Sequence, residues 1–188
     1  MSLFLQNIKE HQELFKNLHH LDPSVNLAVE LIVSTLINSK KLMICGNGGS
    51  AADSQHIAAE FTGRFVKDRP PIAAMALSVD SSALTCIGND YSFADIFSRQ
   101  VGALAQPGDC LMGISTSGNS ENVINAINLA KEMNVSTIGL IGRDGGRLKA
   151  ICDVSIIVSS DVTARIQEAH ILIGHSICGA VERGLGLV

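Results

Sequence analysis

Apolar residues open this 188-residue chain with a helical rhythm and then change their spacing near residue 40. Two amphipathic helices are predicted first, over Leu3–Leu18 and Ser24–Ser39, divided by Leu-Asp-Pro-Ser. Pro23 and Ser24 suit a turn and a helix start. Short apolar runs then alternate with amphipathic stretches. The runs Lys41–Cys45, Ile72–Ala76, Cys110–Ser115, Thr137–Ile141 and Val154–Val158 are predicted strands. The stretches Ser50–Gly63, Ser81–Gly88, Tyr91–Ala105, Glu121–Met133 and Thr163–Arg183 are predicted helices. Such alternation implies βαβ crossovers and a parallel sheet covered on both faces. One α/β domain over 1–188 is expected, with 1–39 as a helical extension and 40–188 as the core.

Two of the predicted strands run into Gly/Ser-rich turns that open helices. The first turn lies in CGNGGSAADSQH, Cys45 to His56, and the second in GISTSGNSENV, Gly113 to Val123. A strand, a tight turn and a helix N-terminus aim backbone N–H groups and a positive dipole end at an anion. Ser50, Ser115, Thr116, Ser117 and Ser120 add hydroxyl donors without adding charge. GNGGS alone serves equally as a structural turn. It lacks the lysine of a P-loop and does not match GxGxxG, which disfavours a nucleotide. STSGNS carries more hydroxyls than a tight turn requires, although Ser120 also suits a helix N-cap. Both loops sit at strand carboxyl ends, where ligands of open α/β sheets bind, so they can share one crevice. The Asn89–Phe93 segment is placed at its border, and Arg143–Gly146 is read as a loop before a further helix. A small phosphorylated molecule is the expected ligand.

Charge and composition narrow the alternatives. The formal net charge is −4 and the basic residues are scattered, which argues against nucleic acid as a partner. No run of about 18 apolar residues suggests a membrane span, and the N-terminus has no signal-peptide pattern. Cys45, Cys86, Cys110, Cys152 and Cys178 are odd in number and lie mostly in apolar runs. They are predicted to be reduced core thiols of a cytoplasmic protein.

His56 and Glu60 are four apart and share one helix face, a spacing that serves a metal or paired acid–base work. Taken alone, such a pair is also an ordinary surface or core contact. Its helix begins at the first Gly/Ser loop, which favours a site. The last predicted helix adds Gln167, Glu168, His170 and His175 to a largely apolar stretch. Gln167 and His175 are eight apart, about 12 Å along a straight helix. Bringing both to one small site needs a kink near Gly174 or a neighbouring subunit, and the subunit is preferred.

These segments, together with CIGNDYSFADIFSRQV, GRDGG and ARIQEAHILIGH, make the chain resemble the sugar isomerase (SIS) domain family and, within it, the bacterial phosphoheptose isomerases. The resemblance spans nearly the whole chain. It implies a flavodoxin-like, five-stranded parallel sheet and a homotetramer with active sites between subunits. It implies conversion of sedoheptulose 7-phosphate to D-glycero-D-manno-heptose 7-phosphate through an enediol, in bacterial heptose biosynthesis. Glu60 and His175 match the catalytic pair, and His56, Glu60, Gln167 and His175 match the ligands of one zinc ion per subunit. Asn47, Gly48, Gly49, Ser50, Glu60, Arg64, Asn89, Asp90, Ser115, Thr116, Ser117, Ser120 and Gln167 match the substrate-binding positions. Glu60 is then the base and His175 the opposing acid. A carboxylate bound to zinc is a poorer base, so Glu60 must keep a free oxygen or leave the metal.

Two other readings compete. One is a non-catalytic SIS protein that binds a partner, as a relative does with the replication initiator. That relative lacks counterparts of Glu60 and His175, which this chain has. The other is a sugar-phosphate sensor within a regulator, for which no helix-turn-helix arm is present.

Overall fold

The computed structural model describes residues 1–188. The N-terminal helices are α1 (Leu3–Phe15) and α2 (Asp22–Ile37), joined through a 3-10 turn at Leu18–Leu21. The α/β core follows as β1 (Leu42–Gly46), α3 (Gly49–Thr62), β2 (Ala74–Ala76), α4 (Ser81–Asp90), α5 (Ser98–Leu104), β3 (Cys110–Ser115), α6 (Glu121–Glu132), β4 (Ser136–Gly142), β5 (Val154–Val158) and α7 (Thr163–Gly184). All five strands are parallel, in the order β2-β1-β3-β4-β5. This is the flavodoxin-like order, whose direction of winding reverses between β1 and β3. The two strands that feed the Gly/Ser loops are therefore hydrogen-bonded neighbours at the switch point.

Alternation along the strands divides the core into two layers. Leu42, Ile44, Met112 and Ile114 face α2, α3 and α7, packing with Ile32, Ile57, Phe61, Ile173 and Ile177. Met43, Cys45 and Leu111 face the other way, onto Phe97, Val101, Val123 and Ile127. With both faces covered, β1 and β3 are buried along their whole length, as a parallel sheet requires. All five cysteines are unpaired. Burial pushes the thiols of Cys45 and Cys178 up to about 12. No helix is long and apolar enough to cross a membrane.

Two local expectations are corrected. The helix predicted over Tyr91–Ala105 is broken: Tyr91 leaves the helical region, a 3-10 turn spans Phe93–Asp95, and α5 starts only at Ser98. Ser92 causes the break by accepting from the Ala94 N–H and donating to Asp95, a local alternative to helix hydrogen bonding. Arg99 then covers the Tyr91 ring at 3.7 Å. Arg143–Gly146 leads into a 3-10 turn at Leu148–Ala150 and then β5, not directly into a helix.

Candidate active site

The two loops meet across the switch point and are built to hold a fixed shape. Gly48 has φ +56°, in the region that favours glycine, at the start of α3. Asn47 exchanges two amide hydrogen bonds with Asn122 of α6, each 2.8 Å, which ties the first loop to the second. In the second loop Ser115 Oγ stands 2.9 Å from Ser120 Oγ and 3.4 Å from Ser117 Oγ. It also accepts from the Gly118 N–H at 3.1 Å. Ser120 occupies the N-cap position of α6, yet its side chain makes no capping bond. Its hydroxyl joins the Ser115 cluster instead, leaving the first N–H groups of α6 without a side-chain acceptor. Gly118, at φ +67°, packs so closely on the Arg143–Gly146 turn that a Cβ there would lie 2.2 Å from the Gly145 carbonyl oxygen. The turn thus braces the hydroxyl loop, with Leu148 N donating to Gly118 O and Arg147 N to Asn119 Oδ1.

The second constellation forms between α3 and α7, which pack side by side. A Cβ on Gly174 would lie 2.7 Å from Ile57 Cδ1, so glycine permits the close approach. The next residue on one helix and the preceding one on the other are His175 and His56, whose Nε2 atoms are 3.3 Å apart. His56 Nε2 is 3.2 Å from Glu60 Oε1. The ligand atoms of His56, Glu60 and His175 all lie within 4.8 Å of one another. Ligand atoms about 2.0–2.1 Å from a tetrahedral zinc stand about 3.3 Å apart, so the two short edges fit zinc. Phe65 leans against His175, ring centroids 5.6 Å apart, and a surface hollow beside them is lined by Ser176, Gly179 and Arg183. Asp53, one turn before His56, keeps one buried carboxylate oxygen without a partner. Burial raises its pKa, and the nearby His56 works in the opposite direction.

Gln167 is not part of this cluster within one chain. Its amide rests on Gly49, where a Cβ would lie 2.1 Å from Nε2, beside the first loop. Helix α7 runs unbroken through Gly174, so Gln167 and His175 remain two turns apart. Ser50 is buried at the start of α3. Arg64 is exposed and donates to the Val66 carbonyl. Asn89 and Asp90 close α4, exposed and bonded to each other at 2.8 Å.

Glu168 and His170, the other two polar residues singled out on α7, serve the packing. Glu168 pairs with His11 and Arg165, joining α7 to α1. His170 is fully buried, and burial pushes its imidazole down to about 4, against a weaker pull from the Ile141 backbone. Sequence reading missed Asn122, although it lies inside the second motif. It also missed Arg69 and Glu182, a buried ion pair at 2.7 Å behind Glu60 that no local pattern announces.

The SIS domain profile matches residues 5–142. A phosphoheptose isomerase of Nitratiruptor sp. is 54% identical over 178 residues, covering 94% of this chain and 95% of the relative. One from Helicobacter hepaticus is 50% identical over 185 residues, covering 98% and 94%. The solved phosphoheptose isomerase of Neisseria gonorrhoeae superposes with a TM-score of 0.85 at 48% identity, covering 96% and 95%. With both loops and the His56–Glu60–His175 cluster inside the span of these relatives, the chain belongs to the SIS domain family and, within it, to the bacterial phosphoheptose isomerases.

Proposed function

We infer that this chain is an aldose–ketose isomerase interconverting sedoheptulose 7-phosphate and D-glycero-D-manno-heptose 7-phosphate, in bacterial heptose biosynthesis. The observation that carries the chemistry is a carboxylate oxygen and two imidazole nitrogens gathered within 4.8 Å on a scaffold that also presents two phosphate-type loops.

Ser115, Thr116, Ser117 and Ser120, with the opening N–H groups of α6, hold the phosphate and fix the sugar's register. Asn47, Gly48, Gly49, Ser50 and Gln167 line the adjoining wall. Arg64, Asn89 and Asp90 are assigned to the substrate by resemblance. From the ketose, Glu60 takes a proton from C1 while His175 donates one to the carbonyl oxygen on C2, giving a cis-enediol. Glu60 then returns its proton to C2, and His175 accepts the proton of the C1 hydroxyl as the aldehyde forms. Protons balance and both groups end as they began. His56, one oxygen of Glu60 and one ring nitrogen of His175 would hold zinc, with Gln167 assigned as the further ligand, so that the other Glu60 oxygen and the other His175 nitrogen stay free for the proton. When bound, zinc supplies a Lewis acid that polarises the carbonyl and steadies negative charge on oxygen.

The active site is assigned to the interface of a homotetramer. Gly49 and Glu60 lie at opposite ends of α3, about 16 Å apart along the axis, as do Gln167 and His175 on α7, about 12 Å apart. A second subunit can supply what one chain keeps apart. Leu3, Phe4 and Leu5 of α1 are more than half exposed, an apolar strip suited to burial in such an assembly. Metabolites of this kind place the enzyme in the cytoplasm.

The test is turnover of sedoheptulose 7-phosphate by purified protein, first stripped of metal and then supplied with zinc. Aldoheptose 7-phosphate formed only with zinc supports both the reaction and the metal assignment. Equal turnover in both states refutes the metal's role, and none in either refutes the substrate.

A further inference from the structure

The carbonyls that close an α-helix have no partners inside it. In α3 these are the carbonyls around Glu60 itself, and a buried guanidinium meets them. Arg69 Nη2 donates to the Glu60 carbonyl oxygen at 2.6 Å. Its Nη1 donates to the carbonyls of Phe61 at 2.7 Å, Gly63 at 3.1 Å and Pro70 at 3.0 Å. Its Nε donates to Glu182 Oε1 at 2.7 Å. Both charged side chains are at most 2% exposed. Glu182 stands two turns beyond His175 on α7, and Oε1 also accepts from the Phe65 N–H at 3.3 Å. Phe65 is the ring that leans on His175.

One guanidinium therefore grips the end of the helix that carries Glu60, and its carboxylate partner belongs to the helix that carries His175. Burying such a pair is costly, and an apolar pair of similar volume commonly serves stability as well or better. What an apolar pair cannot do is hold three helix-terminal carbonyls in a fixed fork. We propose that Arg69 is a positioning residue of the isomerase site, fixing Glu60 through its own backbone carbonyl and His175 through Glu182 and Phe65. The inference rests on the roles given above to Glu60 and His175. It adds that their separation is set from behind, by a residue that touches neither substrate nor metal.

The test is the double variant Arg69→Met/Glu182→Leu, which removes both charges together and strands neither. Unfolding temperature, assembly, kcat, KM and zinc affinity are measured. The phosphate loops lie at the far end of α3, so KM should stay within about twofold. Loosened catalytic geometry should lower kcat by about 100-fold. Loss of support behind the ligands should weaken zinc binding by about tenfold, read by chelator competition without turnover. Arg69→Lys keeps a charge opposite Glu182 but not the fork, and should fold and show the same split. Parent-like kcat and zinc affinity in either folded variant overturn the proposal. If neither folds, Arg69 acts in folding alone and the proposal is equally overturned. Glu60→Gln serves as the control: turnover surviving there refutes the assignment of Glu60 as base, while the zinc-affinity readout still judges Arg69.

Discussion

At the level of His56 and His175, the approach of α3 and α7 is limited where Gly174 meets Ile57, one residue from each. Gly174→Ala tests this directly. The new methyl would begin 2.7 Å from Ile57 Cδ1 and 2.9 Å from Cγ1, and ordinary contact starts at 3.4 Å. Side-chain rotation aside, the helices must separate by up to ~0.7 Å. That would carry the His56–His175 separation of 3.3 Å towards ~4 Å, past the edge of about 3.3 Å that tetrahedral zinc requires. Stability should change little by comparison. Alanine gains about 1 kcal/mol over glycine within a helix, while overpacking costs about 1–3 kcal/mol. The net loss of about 0–2 kcal/mol shifts the unfolding temperature by at most about 8 °C. Zinc affinity, measured against a competing chelator, should fall at least tenfold, and turnover should fall with it. A folded Gly174→Ala protein with parent affinity and parent turnover would show that Ile57 absorbs the methyl, refuting helix spacing as the control on the cluster.

Two further outcomes follow from single groups. Gly49→Ala places a Cβ against the Gln167 amide, whose flexible end can swing away. The unfolding temperature should hold while KM for sedoheptulose 7-phosphate rises about tenfold, and an unchanged KM would remove Gln167 from the substrate wall. His170, held near 4 when folded, recovers its ordinary value of 6.5 on unfolding. Its depressed value makes stability complete above pH 6.5 and lost as pH falls through 4. Metal-stripped protein should be about 2 kcal/mol less stable at pH 5 than at pH 7 by denaturant titration. His170→Leu should abolish that share of the difference, and an unchanged pH slope would contradict a buried neutral imidazole.

What could be read from the chain follows from how local each cause is. The Gly/Ser loops were legible because their geometry is written into consecutive residues. Gly48 and Gly118 take backbone conformations that favour glycine, and the clustered hydroxyls exceed what turning needs. His56 and Glu60 were legible through helical spacing alone. The break at Tyr91 was not, because apolar spacing continues across it while Ser92 and Asp95 redirect the backbone hydrogen bonds. Glu168 and His170 carried the same polar signal as His175, but α1 claims one and the core encloses the other. Arg69 and Glu182 are 113 residues apart, and only the folded chain makes them neighbours. Asn122 is a different failure. It sits in a motif already singled out, and only the reciprocal pairing with Asn47 reveals its task.

The proposed reaction rests on Glu60 moving a proton between C1 and C2 of a heptose phosphate. The most direct measurement is conversion of sedoheptulose 7-phosphate in deuterium oxide by the parent and by Glu60→Gln, with the product read by NMR. Glu60 is open to solvent on one side, at 21% exposure, so the proton it holds can exchange before its return: deuterium is expected at C2 of part of the parent's aldose, and no turnover by the variant. Aldose formed by Glu60→Gln at the parent rate would contradict it.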